Sequence, residues 1–427
     1  MPTYRPVTAG DRARFEEITG HAFAIEQGPD YGSGGADGVD ADGPDGSSVS
    51  PTADGEWPPA LSEPRGVFDG DRLLSVCKLY HLDAVLHGGY ETVGGLGAVA
   101  TPPEHRREGH VRTLAAGALE EYREAGVTVV ALWPFSTPFY RHLGWGVANK
   151  YTRYELPPDQ LAPARGGDGE VQQLSPDDWE RLRPVEAAFG EGTHLSLRRS
   201  ERWWRERTLG GWPDDDPPYV YGYECDGELC GFVSYTVGAG DGGRQLNVGL
   251  LAHADEGAYR GLLGFLSEHD SQVERIRLHR AAETALLDRV PDPGRVDCTV
   301  ESGPMVRLTD VAGALERYPW PDRDVEFTLS VSDPLLSHND GRFSVTVDGG
   351  TATVERTAAT DSADEEDAVD TAADASVDVA TLSQLYVGSY DAPTAQEVGE
   401  LAVTRESLGG TLAAALDGNP VCLREFF

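Results

Sequence analysis

The segment from Val99 to Trp133 constrains this chain more than any other, because it reads as strand, break, helix and strand in that order. A strand-like run ending at Val99 passes into Pro102-Pro103, which cannot continue a hydrogen-bonded ladder. Arg106-Arg107-Glu108-Gly109 follows, and then Val111, Leu114, Ala115, Ala118, Leu119 and Tyr122 fall at i, i+3, i+4, i+7, i+8 and i+11. That spacing predicts a helix with one apolar stripe, packed by one face on a sheet. Gly126 stands where a left-handed C-terminal cap belongs, and Val127 to Trp133 is a buried-strand run.

The start of that helix reads as an anion cradle. Its first N–H groups lack intrahelical partners and carry partial positive charge. Gly109 lets backbone approach a ligand closely, and Arg106 and Arg107 add fixed charge and forked donors. A pyrophosphate fits there. The spacing alone fits equally a surface turn with two solvated arginines before an ordinary helix, so the surroundings decide. After the buried strand, Phe139-Tyr140-Arg141-His142-Leu143-Gly144-Trp145-Gly146 predicts a short helical turn closed by Gly144.

This succession resembles the GNAT N-acetyltransferases, whose co-substrate is acetyl-CoA. In that family Arg/Gln-x-x-Gly-x-Gly/Ala holds the CoA pyrophosphate, and Arg106 to Val111 matches it except that Val111 replaces the last small residue. The resemblance implies a cofactor site made of Arg106, Arg107, Glu108, Gly109, His110, Val111 and Arg112. It also implies that the preceding strand splays from its neighbour, so that the backbone of Ala98, Val99, Ala100 and Thr101 pairs with the pantetheine arm.

At 427 residues the chain is too long for one ordinary core, and two to four domains are expected. Acidic residues outnumber basic ones 72 to 35, and the only lysines are Lys78 and Lys150. The net charge of -37 argues against a nucleic-acid partner. Because the charge is spread along the chain, it reads as the solvated surface of a halophilic cytoplasmic protein, and it masks any acidic pocket for a cationic substrate. Cys77, Cys225, Cys230, Cys298 and Cys422 lack metal-ligand spacing, so no metal is expected. No charged-then-apolar leader or long apolar run marks a membrane partner.

Three units follow from the punctuation. The first, 1–156, opens with a strand at Tyr4 to Val7 and a helix at Asp11 to Ala24, then a Gly/Asp/Ser/Pro-rich insertion at 27–60. Strands Leu73 to Leu86 and Tyr90 to Val99 lead into the cradle. The breaker-rich Pro157 to Gly169 predicts a boundary. The second unit, 157–303, repeats the order of elements, but its cradle position holds Ala254-Asp255-Glu256-Gly257, whose negative charge repels pyrophosphate. It reads as a degenerate copy without cofactor. From 304 to 427 a third unit shows alternating strands at Val325 to Val331 and Phe343 to Val347, and an acidic stretch from Asp361 to Asp374. A helix ending at Gly388 and a short one at Leu412 to Leu416 complete it.

The fold class is therefore α/β (α+β): two tandem GNAT-like acyltransferase folds and a C-terminal α+β unit resembling sterol carrier proteins. That combination is similar to the Eis (enhanced intracellular survival) family. The matching residues are 105–109, 139–146, Leu385-Tyr386-Val387-Gly388 and the final Glu425-Phe426-Phe427, whereas the 27–60 insertion departs from the family. The resemblance implies transfer of acetyl to a primary amine of an aminoglycoside, polyamine or peptide. Tyr140 would be the general acid, and the carboxylate of Phe427 the general base. A terminal carboxylate with a pKa of about 3.5 is ionised at neutral pH. Glu26, Trp133, Phe135 and Glu425 are expected to line the amine pocket. Family members form ring-like oligomers, hexamers in particular. The alternative is a lipid-binding or hydrophobic-ligand-binding protein in which the third unit carries the function.

Overall fold

The computed structural model describes residues 2–23, 61–165, 168–210, 217–240, 242–357 and 373–427. Glu26, the expected insertion at 27–60 and most of the acidic stretch from 361 to 374 lie outside those residues. The strands are Thr3–Pro6 (β1), Glu63–Asp69 (β2), Arg72–Leu86 (β3), Gly89–Ala100 (β4), Val129–Leu132 (β5), Gly146–Val147 (β6), Lys150–Leu156 (β7), Glu170–Gln173 (β8), Tyr219–Cys225 (β9), Glu228–Gly240 (β10), Gly243–His253 (β11), Arg275–Ala281 (β12), Asp297–Ser302 (β13), Met305–Leu308 (β14), Val325–Ser332 (β15), Gly341–Asp348 (β16), Thr351–Thr357 (β17), Ala375–Asp378 (β18) and Ala402–Val403 (β19). The helices are Arg12–Phe23 (α1), His110–Glu124 (α2), Thr137–Arg141 (α3), Trp179–Gly190 (α4), Glu201–Trp203 (α5), Glu256–Ser267 (α6), Val311–Arg317 (α7), Val379–Val387 (α8), Ala392–Val398 (α9) and Glu406–Ala415 (α10).

Three sheets result, ordered β1-β2-β3-β4-β5-β14-β6, β13-β7-β12-β11-β10-β9-β8 and β17-β16-β15-β18-β19. The first two do not respect the expected boundaries at 156 and 303. β7, expected in the first unit, lies in the second sheet, and β14, expected in the third, lies in the first between β5 and β6. The physical reason is one continuous antiparallel ribbon. Val147 pairs with Met305 in the first sheet, and Lys150 to Glu155 pair with Ser302 to Asp297 in the second. Ala148 N–H to the Pro304 carbonyl (2.8 Å) and Gly303 N–H to the Asn149 carbonyl (2.9 Å) carry the ribbon across. The chain thus leaves the first sheet near Ala148. The breaker-rich run after Leu156 forms a short 3-10 stretch within the second unit.

The predicted stripe of α2 is buried at Leu114, Ala115, Ala118, Leu119 and Tyr122, with Val111 half-buried. Burying each leucine contributes roughly 1.5–3 kcal/mol, which fixes the helix on the sheet. The Tyr122 hydroxyl reaches between β3 and β4, accepting from Tyr80 N–H at 3.0 Å and lying 2.8 Å from the carbonyls of Tyr80 and Gly95. Its single proton serves one of those carbonyls at a time.

The third unit packs on the ribbon: Leu308 N–H donates to Ser383 Oγ at 2.9 Å, and Gln384 Nε2 to the Val147 carbonyl at 3.0 Å. One apolar core runs through the first and third units. At their junction with the second, His194 donates from Nδ1 to the Val387 carbonyl (2.9 Å) and accepts the His87 N–H at Nε2 (3.2 Å). Burial above all, with His194 beside it, pushes the His87 imidazole down to about 4. Among the described residues, no helix is long and apolar enough to cross a membrane.

Candidate active site

The site is built around the end of β4. Its ladder with β3 shifts register between Lys78 and Val76, and Ala98 adopts φ +49°, so the strand bulges there. With β5 it pairs in parallel only at Gly94↔Val130 and Gly95↔Ala131. Beyond Gly95 no ladder bond joins β4 to β5, which leaves the stretch containing Ala98, Val99 and Ala100 with an edge open to a ligand. Thr101 follows, and its carbonyl accepts from Arg106 Nε at 3.0 Å, tying strand to cradle.

Gly109 caps α2 with φ +83°, and Arg107 precedes it at φ +65°. A Cβ at Gly109 would meet nothing within 4 Å, so the glycine is required by its backbone conformation and faces open space. No side chain caps the helix, and its first bond runs from Thr113 N–H to the Gly109 carbonyl at 3.1 Å. The N–H groups of His110, Val111 and Arg112 therefore lack intrahelical partners. Arg106, Arg107 and Glu108 are exposed, His110 is buried against Glu108 (3.1 Å), and Arg112 donates to the Pro334 carbonyl of the third unit. This arrangement suits a pyrophosphate. In the second unit the same place is filled from within, since the Asp255 carboxylate accepts from Ala258 N–H at 2.8 Å and Glu256 pairs with Arg289. Like the first, it is a parallel pairing that stops early, at Asn247↔Arg277.

The chain's last residue arrives at β4 on the face opposite α2. A Cβ at Gly94 would meet the Tyr122 ring at 2.8 Å. On the other face, a Cβ at Gly95 would lie 2.8 Å from the Phe427 ring and one at Gly97 would lie 2.9 Å from the Phe427 backbone oxygen. Glycines at both places admit the tail. The Phe427 ring is buried, 5.4 Å from that of Tyr80. Phe426 is 56% exposed and packs on Trp133 at 5.5 Å.

The first and second units hold this tail. Cys422 N–H donates to the His194 carbonyl (3.0 Å), Leu423 N–H to Asn149 Oδ1 (2.9 Å), and Trp133 Nε1 to the Glu425 carbonyl (2.5 Å). The buried Glu425 carboxylate accepts from Arg199 Nε (2.9 Å) and Nη2 (2.5 Å) and from Trp203 Nε1 (2.8 Å). Glu425 and Trp133, expected to line the amine pocket, both brace the tail. Phe135 is 71% exposed and sits 5.5 Å from the Tyr140 ring, outside any cleft described below.

Tyr140, on α3, is buried among Phe135, Phe139 and Trp145, and its hydroxyl makes no hydrogen bond among the described residues. Burial above all, with the buried Cys77 thiol adding to it, holds this phenol above its ordinary value and keeps it protonated. A cleft of about 330 Å³ opens beside the site, walled by His81, Asp83, Trp179, Arg183, Glu201 and Trp203. Trp203 contacts Tyr80 at 6.0 Å, and Tyr80 contacts Phe427, so an aromatic path joins cleft and tail. Sequence reasoning missed Tyr80, Arg199 and Trp203. Gly94-Gly95-x-Gly97 inside a strand is a signal of close backbone approach that marks where the tail lands. Among the described residues no group of three or more His, Cys, Asp or Glu side chains is placed to hold a metal ion.

Residues 3–148 and 195–308 each match a family described as Acetyltransferase (GNAT) domain, and residues 311–423 match one described as Sterol carrier protein domain. An uncharacterized N-acetyltransferase of Streptomyces griseus is 25% identical over 375 residues, spanning 83% of this chain and 86% of the relative. In structure the chain is similar to a GCN5-related N-acetyltransferase from Anabaena variabilis (TM-score 0.78, 19% identity, both chains fully covered). It is also similar to Eis1 from Mycobacterium abscessus (TM-score 0.70, 22% identity, both chains fully covered).

Proposed function

From the premise that this chain belongs to the GNAT acetyltransferases, with two domains of that family in tandem and a sterol carrier protein domain after them, we propose that its first unit transfers acetyl from acetyl-CoA directly to a primary amine. The observation that carries the reading is the seating of the Phe427 backbone oxygen, taken as part of the terminal carboxylate, beside Gly97 on the strand whose far edge is open. The neutral amine attacks the thioester carbon, its excess proton passes to the Phe427 carboxylate, and the C–S bond breaks to release CoA thiolate. Tyr140, held protonated, donates a hydrogen bond to the departing sulfur, and with its phenol above the thiol range full proton transfer follows from solvent. The cleft walled by Trp179 and Trp203 takes the acceptor.

The cradle holds the pyrophosphate through Arg106, Arg107 and the free N–H groups of α2. Calorimetric titration is expected to give one acetyl-CoA per chain. Arg106→Ala combined with Arg107→Ala is expected to weaken it about tenfold or more, and more so at low salt. Two sites per chain, or affinity untouched by the double change, would refute the assignment. The lipid-binding alternative has little to recommend it. The apolar cavity in the third unit, between Leu315, Trp320, Phe327, Leu385 and Leu412, holds about 30 Å³, whereas ligand sites run to roughly 300–1,000 Å³.

A further inference from the structure

A cavity of about 610 Å³ lies where the three units meet, with the tail from Asn419 to Glu425 along one wall. Tyr140, Phe427, Gly97 and the cradle residues are not among its lining; it shares Leu197 and Arg199 with the acceptor cleft, and the inference does not rest on the transfer chemistry above. In a chain with net charge -37, this cavity gathers Arg141, Lys150, Arg199, Arg280 and Arg424 against the carboxylates of Glu186 and Glu425. Arg199 is consumed by both of those carboxylates.

Arg141 and Lys150 are exposed, which leaves the half-buried Arg280 and Arg424. Arg280 Nε and Nη1 are buried without a hydrogen-bond partner; its nearest carboxylate, Glu283, stands 3.8 Å from Nε, and Nη2 lies 3.5 Å from His253 Nε2. Arg424 gives Nη1 to the Leu251 carbonyl at 3.1 Å. Both guanidinium groups lie against the Phe189 ring, 5.7 Å and 5.4 Å from its centre. Burial above all, with the repulsion of Arg280 and Arg199 outweighing the pull of Glu425, holds Arg424 below its ordinary value. Buried donors without partners, and like charges without a counter-ion, are costly unless something satisfies them. Phe189, Phe232, Leu250 and Val421 supply apolar wall beside them.

We infer that this cavity binds a small organic oxyanion, a carboxylate or phosphate on an apolar body, through Arg280 and Arg424. Forked guanidinium donors match the planar or tetrahedral oxygens, and the phenylalanine faces cover the remainder. The test is calorimetry on the full chain at fixed low chloride with benzoate and with phenyl phosphate. Wild type is expected to bind at least one of them, and the preferred probe identifies the head group. Arg280→Gln is expected to weaken that binding about tenfold or more. Leu250→Trp, which fills the apolar side and leaves every charge in place, is expected to do the same and decides the matter if Arg280→Gln does not fold. Failure of wild type to bind either probe would overturn the inference. So would binding unchanged by these substitutions, or binding lost on Arg106→Ala with Arg107→Ala, which would assign the anion to the cradle.

Discussion

Deleting Phe427 is expected to lower turnover on an amine acceptor by about 10²-fold or more, with acetyl-CoA affinity kept within about twofold. The deletion moves the terminal carboxylate back to Phe426, whose side chain is 56% exposed and whose backbone lies one residue short of Gly97. A general base must lie within hydrogen-bond reach of the proton it takes, so a displacement of one residue removes it. The cradle is made by other residues and keeps its affinity. Because the Phe427 ring is itself buried against Tyr80, Phe427→Leu is the matched control: it trims packing and keeps the carboxylate in place. Its turnover is expected within about tenfold of wild type. Equal losses in the two variants would assign the effect to packing, and an unchanged rate in the deletion would remove the terminal base from the mechanism.

Asp333→Ala is expected to destabilise the protein by about 3–5 kcal/mol, read from the shift of the denaturation midpoint at constant salt. Arg307 on β14 and Asp333 after β15 have no exposed side-chain surface. Arg307 Nη2 reaches both Asp333 oxygens (2.5 and 2.6 Å), and Nη1 donates to the Leu143 carbonyl at 2.6 Å. Asp333 also accepts the N–H groups of Leu335 (2.8 Å) and Leu336 (2.9 Å) and Nδ2 of Asn339 (3.2 Å). The alanine leaves a guanidinium buried and unpaired between the first sheet and the third unit, which is worse than having neither charge. Arg307→Met with Asp333→Leu is expected to recover much of the loss. A midpoint that barely moves in Asp333→Ala would mean that the pair does not clamp these units together.

What the sequence disclosed is what lies close together along it. The stripe of α2, the left-handed turn at Gly109 and the αL cap at Gly388 are each set by a few adjacent residues, and the structure has all three. The loss of charge compensation in the second copy was legible for the same reason, since Asp255 and Ala258 sit within one turn. β2 was missed because Pro64 and Gly66 interrupt its strand signal, although its sheet position tolerates both. The ribbon that exchanges β7 and β14 pairs residues about 150 positions apart, and neither four-to-seven-residue strand carries any mark of its partner. Arg199, which pairs with Glu425, lies 226 residues upstream, and nothing in the sequence around Glu425 hints at it.

In the proposed reaction acetyl passes directly from CoA to the amine and never rests on the protein. The most direct test mixes the protein with acetyl-CoA and a panel of primary amines, following free thiol together with the masses of amine and protein. Thiol release is expected to require an amine, with one thiol for each acetylated amine and protein of unchanged mass. A burst of one thiol per chain in the absence of amine, with an acetyl group added to the protein, would contradict it.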